Sequence, residues 1–340
     1  MGNNQKKQNK KGLKTIAIHH GKSYADETGC VMPPIFATST FEHGNKANFD
    51  YTRSGNPNFS ILENVLKGIE NSNYCTVFNS GISAVTAIVS SLKSGDTILC
   101  ESNLYGCTIR MFEKIFRKFG IQTSYFDFTN KEYIQQISKV KPSLIWLESP
   151  TNPLLKILNL KEICSEANLR KIPVVVDNTF CTAVIQKPLE LGATLSLIST
   201  TKFINGHSDA LGGAVITNDE SWNNKMIFSQ KSLGLNPSPF DCWLITRGLK
   251  TLPLRIAQQT ENAYFIANEL NSHKLIDQLI YPFNKNHPQF ELAKSQMKIG
   301  GSMITLKLKL NKNDTFNFCK KLEYFSLAES LGGVESLICH

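Results

Sequence analysis

The residue with the most specific chemistry in this 340-residue chain is Lys202, which follows the apolar run Leu195-Ser196-Leu197-Ile198 and sits within Ser199-Thr200-Thr201-Lys202-Phe203-Ile204-Asn205-Gly206. A lysine amine condenses with an aldehyde to a Schiff base, and a desolvated setting that lowers its pKa makes it ready to do so. A surface lysine is the plain alternative, but it leaves unexplained an apolar strand running straight into the amine. The hydroxyls of Ser199 and Thr201 can hold a phosphate beside it. Asp177 closes Val174-Val175-Val176-Asp177. A carboxylate at a strand end can face a pyridine nitrogen and keep it protonated, which makes the ring an electron sink. Read alone, Asp177 could equally be a cap for the next segment. Asp177 and Lys202 lie 25 residues apart on successive predicted strands, so their ends adjoin.

Two other clusters carry anion chemistry. Ser80-Gly81-Ile82-Ser83 links a predicted strand to a predicted helix. Free N–H groups at a helix start bind phosphate, and glycine permits close approach; the same residues can be a simple cap. Tyr51-Thr52-Arg53-Ser54-Gly55-Asn56-Pro57 offers an arginine suited to bidentate phosphate binding, though alone it could be only a turn. An aldehyde, a pyridine and a phosphate together describe pyridoxal 5′-phosphate, PLP. The residues thus point to a PLP enzyme acting on amino acids.

The elements that must position these groups read as α/β. Residues 15–60 look irregular, punctuated by Pro33, Pro34, Gly44, Gly55 and Pro57. An arm of that length suggests contact with a second subunit. Helical periodicity covers 61–69, 83–92, 104–119 and 161–168. Short apolar runs at 74–78, 97–100, 143–147 and 174–176 read as buried strands. Such alternation implies a mostly parallel sheet with helices on both faces, and ligands of such sheets bind beyond the carboxyl ends of the strands. From about 253 the pattern changes to a helix over 254–270, strands at 279–281 and 302–310, and a helix over 314–322. The expected organisation is a basic tail and arm (1–60), a PLP-binding α/β domain (61–252) and a smaller α+β domain (253–340).

The totals set bounds. Apolar residues make up 41% of the chain, an ordinary globular value. No apolar run approaches the roughly 20 residues of a membrane span, and the polar N-terminus is no secretory signal. Nine cysteines form no C-x-x-C pair, so neither a metal site nor a disulfide framework is expected, and reduced thiols suit a cytoplasmic protein. The net charge of +9 raises nucleic-acid binding as a further class. However, Lys6, Lys7, Lys10, Lys11 and Lys14 place five of those charges in the tail, where a solvated segment is the simpler reading.

Seven segments in order resemble the Cys/Met-metabolism family of PLP enzymes, from about Thr15 to His340: YTRSGNP (51–57), NSGISA (79–84), NLYGCT (103–108), WLESPTNP (146–153), VVDNTF (175–180), STTKFINGHSD (199–209) and ESLGGVESL (329–337). The resemblance implies an aspartate-aminotransferase-like fold (fold type I). It makes Lys202 the Schiff-base lysine, Asp177 the pyridine-nitrogen partner, and Tyr105 a ring-stacking residue that aids proton transfer. It sets Asn152 and Glu148 in the segment contacting the ring and its 3-hydroxyl. Gly81, Ile82, Ser199 and Thr201 match the phosphate cradle, and Tyr51 and Arg53 match residues reaching the phosphate of a neighbouring subunit in a dimer of dimers. Ser330 matches a residue holding the substrate carboxylate.

The implied reaction is transsulfuration in methionine biosynthesis: γ-replacement on an O-acyl-L-homoserine by L-cysteine to give L-cystathionine, with γ- or β-cleavage of cystathionine as alternatives. Glu329 precedes Ser-Leu-Gly-Gly as in the γ-synthase and γ-lyase branches, whereas PFDCWLITRGLKT (239–251) resembles plant-type β-lyases. In the family a C-terminal arginine pairs with the substrate carboxylate, while the last arginine here is Arg255. That departure implies an incomplete small domain and raises a third expectation, a PLP-binding or oligomerisation remnant impaired in turnover.

Overall fold

The computed structural model describes residues 11–21 and 29–340; the other residues, including most of the lysine-rich tail, lie outside it. Leu13–His19 forms helix α1, a correction to the irregular arm expected from residue 15. Its Ile16 and Ala17 give it an apolar side that packs into the core beside Leu62, Val65 and Leu66. Residues 29–56 are irregular as expected, apart from one bridge between Thr40 and Tyr51.

Helix α2 spans Pro57–Glu70, with Pro57 in its first turn and the Asn56 side chain accepting from the Asn58 N–H. Both features favour a helix start. The α/β succession follows: β1 (Tyr74–Phe78), α3 (Gly81–Val89), β2 (Thr97–Glu101), α4 (Gly106–Lys114), β3 (Gln122–Phe126), α5 (Tyr133–Val140), β4 (Leu144–Glu148), α6 (Leu160–Leu169), β5 (Val174–Asp177), α7 (Thr182–Ile185), β6 (Leu195–Ile198), β7 (Gly213–Thr217), α8 (Glu220–Ser232) and α9 (Pro239–Leu249). The helix expected over 104–119 is split, because α4 ends at Lys114 and Phe116–Phe119 turns as a 3-10 helix.

These strands form one seven-stranded sheet in the order β1-β7-β6-β5-β4-β2-β3. Only β7 runs against the others, pairing antiparallel with both β1 and β6. Alternation within the apolar runs fills both faces: Leu144, Trp146 and Val175 enter one core, while Ile145, Leu147, Val174 and Val176 enter the opposite one. Burying each such side chain contributes about 1.5–3 kcal/mol.

Beyond residue 252 come α10 (Leu252–Leu270), β8 (Ile276–Ile280), α11 (Phe290–Gln296), β9 (Thr305–Leu308), α12 (Lys312–Lys320), β10 (Phe325–Leu327) and β11 (Ser336–Ile338). β8 pairs with β9 and β10 with β11 as two small sheets. The strand expected over 302–310 is confined to Thr305–Leu308, the stretch with a β8 partner. Among the described residues no helix is long and apolar enough to cross a membrane.

Candidate active site

Five parallel strands deliver chemistry to one edge of the sheet. Phe78, Glu101, Glu148, Asp177 and Ile198 are the last residues of β1, β2, β4, β5 and β6. Because β7 is reversed, its first residue, Gly213, comes to this same edge opposite Phe78.

Lys202 sits four residues past β6 in a turn closed by the Gly206 N–H donating to the Lys202 carbonyl at 2.8 Å. Its Nζ donates to Ser330 Oγ at 3.0 Å, which joins two residues 128 positions apart. Partial burial pushes the Lys202 ammonium below its ordinary pKa, the change a Schiff-base lysine needs.

Asp177 and Glu148 are register partners at the ends of adjacent strands. Burial raises both carboxyls, and for Glu148 the charge of Asp177 adds to the effect. Asp177 accepts from the Thr179 N–H at 3.0 Å. The next helix starts at Thr182, with Cys181 at its N-cap, so Asp177 closes a turn and is not that helix's cap. Glu148 Oε2 accepts from the Tyr105 N–H at 2.8 Å. Tyr105 is thereby held at the end of β4, and the residue is 44% exposed. Its phenol is pushed up to about 12, first by a hydrogen bond with Cys107, then by burial and by the Cys107 and Glu329 charges. Glu329 is thus within electrostatic reach of Tyr105, while its neighbour Ser330 contacts Lys202.

At the other end, Ser80 Oγ accepts from the Ser83 N–H and starts α3. The Gly81 and Ile82 N–H groups lie in the first turn, where no intrahelical acceptor exists. A Cβ on Gly81 would stand 3.0 Å from Ser199 Cβ and 3.1 Å from its Oγ, so the helix start and the Lys202 turn meet there only because Gly81 lacks one. Thr201 is differently placed: its Oγ1 donates to the Gly212 carbonyl at 3.2 Å and accepts from the Gly212 N–H at 3.0 Å. Its hydroxyl thus ties the Lys202 turn to the Gly212 main chain.

The match to known families fits this arrangement: residues 14–340 match the Cys/Met metabolism PLP-dependent enzymes. The chain belongs to that family. It is 40% identical over 328 residues to a cystathionine γ-lyase of Dictyostelium discoideum, covering 95% of this chain and 85% of that protein. It is likewise 40% identical over 329 residues to a cystathionine β-lyase of Lactococcus lactis subsp. cremoris, covering 96% and 86%. The structure of a cystathionine γ-synthase of Xanthomonas oryzae pv. oryzae in complex with cystathionine superposes with a TM-score of 0.94 at 38% identity, covering 97% of this chain and 86% of that one.

The cofactor of a Cys/Met-metabolism enzyme is PLP, and the sheet edge fits it. Gly81 leaves a cradle that a Cβ would fill. Two buried neighbouring carboxyls, Glu148 and Asp177, would be relieved by a cationic ring nitrogen. The structure brings together Lys202, Ser330, Tyr105, Glu329, Glu148, Asp177, Gly81 and Ser199. Asn152 follows β4 in the Ser149–Lys156 loop, of which Thr151 and Leu155 are buried. Tyr51 and Arg53 lie elsewhere on this chain. Arg53 Nη1 donates to the Lys231 carbonyl at 3.0 Å, its guanidinium stands 5.6 Å from the Tyr51 ring centroid, and both line an open cleft of about 390 Å³ with Thr38, Ser39 and Pro239.

Several supporting residues escaped the sequence reading. Gln186, buried after α7, donates to the Ser149 carbonyl at 2.8 Å and to Asn178 Oδ1 at 3.1 Å, bridging the residues that follow Glu148 and Asp177. Gln296 of α11 donates to Gln186 Oε1. Arg255 is the other: Nη1 donates to the Phe203 carbonyl at 2.8 Å, and Nη2 to those of Gly248 and Ile204 at 2.9 and 3.3 Å. Burial lowers its pKa to about 10. A lone arginine in the apolar helix start Leu252-Pro253-Leu254-Arg255-Ile256-Ala257 was the available signal.

Proposed function

We propose that this enzyme carries out γ-replacement, converting an O-acyl-L-homoserine and L-cysteine to L-cystathionine, the cystathionine γ-synthase reaction. The observation that carries this is the Glu329–Ser330 loop, which holds Ser330 on the Lys202 amine and brings a carboxylate within electrostatic reach of Tyr105. Glu329 would offer its carboxylate to the ammonium of the incoming cysteine. The same charge would receive the distal ammonium of cystathionine, so cystathionine cleavage is the second reading, favoured by the likeness to the Dictyostelium γ-lyase and the Lactococcus β-lyase.

When bound, PLP supplies an electron sink for negative charge at the substrate Cα. Lys202 anchors it and then, with the ammonium made acidic by burial, takes and returns protons as general base and acid. Asp177 would hold the ring nitrogen protonated. Tyr105 would stack on the ring and aid proton transfer, and Glu148 and Asn152 would border it. Gly81, Ile82, Ser199 and Thr201 would hold the phosphate, with Thr201 also tying the turn to Gly212. Ser330 passes from Lys202 to the substrate carboxylate once Lys202 is engaged elsewhere. The Cγ–O bond breaks with loss of the carboxylate; a Cγ–S bond forms as the cysteine thiol gives up its proton. In a dimer, itself paired into a tetramer, Tyr51 and Arg53 would serve the phosphate site of the neighbouring copy.

Purified protein should show a visible band from Lys202-bound PLP that Lys202→Ala abolishes; a colourless protein that takes up no added PLP would sink the assignment. Product analysis separates the two readings. Cystathionine formed from cysteine with O-succinyl- or O-acetyl-L-homoserine supports the synthase. A 2-oxo acid and ammonia from cystathionine alone, without synthesis, supports a lyase.

A further inference from the structure

We propose that Arg255 and Gln259, one turn apart on α10, are positioning residues that hold the Lys202 turn and the Ser330 loop in register with each other. Three contacts meet on this helix face. The Arg255 guanidinium takes the Phe203 and Ile204 carbonyls, the first two residues after Lys202. Its Nε donates to Thr251 Oγ1 at 3.0 Å, so the guanidinium is fixed from its own helix as well. Gln259 Nε2 donates to the Gly333 carbonyl at 2.8 Å, holding the loop that carries Ser330. The two held segments then touch directly: a Cβ on Gly332 would stand 2.4 Å from the Phe203 nitrogen, and Gly332 has φ of +81°.

Glycine is also needed at Gly206, where φ is +74° and a Cβ would stand 2.0 Å from Arg255 Nη1. The guanidinium therefore fills the inside of the Lys202 turn. Ser208 Oγ donating to Glu335 Oε2 at 2.9 Å closes the far side of the same contact. Neither Arg255 nor Gln259 touches Lys202 Nζ. They set where the backbone under it stands, and with it the burial of the amine and its reach to Ser330. Displacements on the order of 1 Å suffice to change proton transfer about 100-fold.

The inference rests on Lys202 being the PLP-anchoring lysine, and Lys202→Ala tests that separately by its visible band. The experiment for α10 follows capture of PLP by the apoprotein in a stopped-flow spectrometer and the pH midpoint of the resulting band. Arg255→Ala should slow capture about tenfold or more and move the midpoint by about one pH unit, with added guanidinium ion restoring both. Gln259→Leu should move the midpoint in the same sense by less, and Arg247→Ala, an exposed neighbour on α9, should change neither. If Arg255→Ala does not fold, Arg255→Lys and Gln259→Leu are judged by the same two readouts. Folded variants with wild-type capture rate and midpoint, even at lowered melting temperature, would overturn the proposal and leave Arg255 and Gln259 with a packing role only.

Discussion

Asp177 shows how much of the site depends on a few atoms. Its carboxyl is desolvated, held by the Thr179 backbone N–H and side chain, and register-paired with the buried Glu148. Asp177→Asn keeps the shape but removes the charge that would answer a ring N–H. A hydrogen bond to a charged group is worth about 1.5–3 kcal/mol, so PLP affinity should fall about 10- to 100-fold, measurable by titrating the apoprotein. Gly332 is the corresponding point in the backbone. Gly332→Ala adds a methyl into the Phe203 nitrogen at a positive φ, and should cost about 1–3 kcal/mol, read as a drop in urea midpoint.

At the scale of elements, the loop that carries Asn152 is tied to the C-terminal part through His287. Its Nδ1 accepts from the Gln289 N–H at 3.1 Å, so the proton is on Nε2, which donates to the Leu155 carbonyl at 3.0 Å. Burial lowers the His287 pKa below 6.5, opposed by the Leu155 contact. A depressed folded pKa gives stability that is present above about pH 6.5 and lost as pH falls through the folded value. The wild type should therefore lose melting temperature on acidification faster than His287→Gln. The strand-end residues were legible because apolar runs bounded by polar residues carry the period of a buried sheet, as at Val174–Asp177. The segments quoted around Lys202, Asp177 and Gly81 stand where the fold needs them. β7 was missed because Gly212-Gly213 reads as a turn, although it is Ser80 and Gly81 packed against Gly213 that require glycine there. Gln186 and Arg255 were missed for a different reason. Main-chain carbonyls take Gln186 Nε2 at Ser149 and most of the Arg255 guanidinium, and any sequence supplies those, so little in the partner residues points back to them. Thr201 was read as a phosphate ligand from its hydroxyl beside Lys202 and from the resemblance; its tie to the Gly212 main chain, 11 residues on, was not legible in the sequence.

Across the whole molecule, buried acids set an alkaline limit. Burial raises Glu63 to about 7, against the Val77 N–H and Lys67, and Glu70 to about 8, against Lys187 and with Glu190 adding to it. Neither Glu70 oxygen has a hydrogen-bond partner among the described residues. A folded pKa above the unfolded 4.5 gives stability that is fully present below that value and lost as pH rises through the folded one. Glu70→Gln cannot ionise, so its melting temperature relative to wild type should rise between about pH 5 and pH 9; a flat difference would refute this. The reversed strand β7 has a consequence for the order of assembly. The Lys202 turn is closed by contacts such as Thr201 to Gly212, 11 residues apart, whereas Ser330 arrives from 128 residues away. Short closures form early and distant ones late. During refolding, pulsed hydrogen exchange should show the 199–217 amides protected before those of 329–338, so the anchoring lysine is in place before the loop that restrains it.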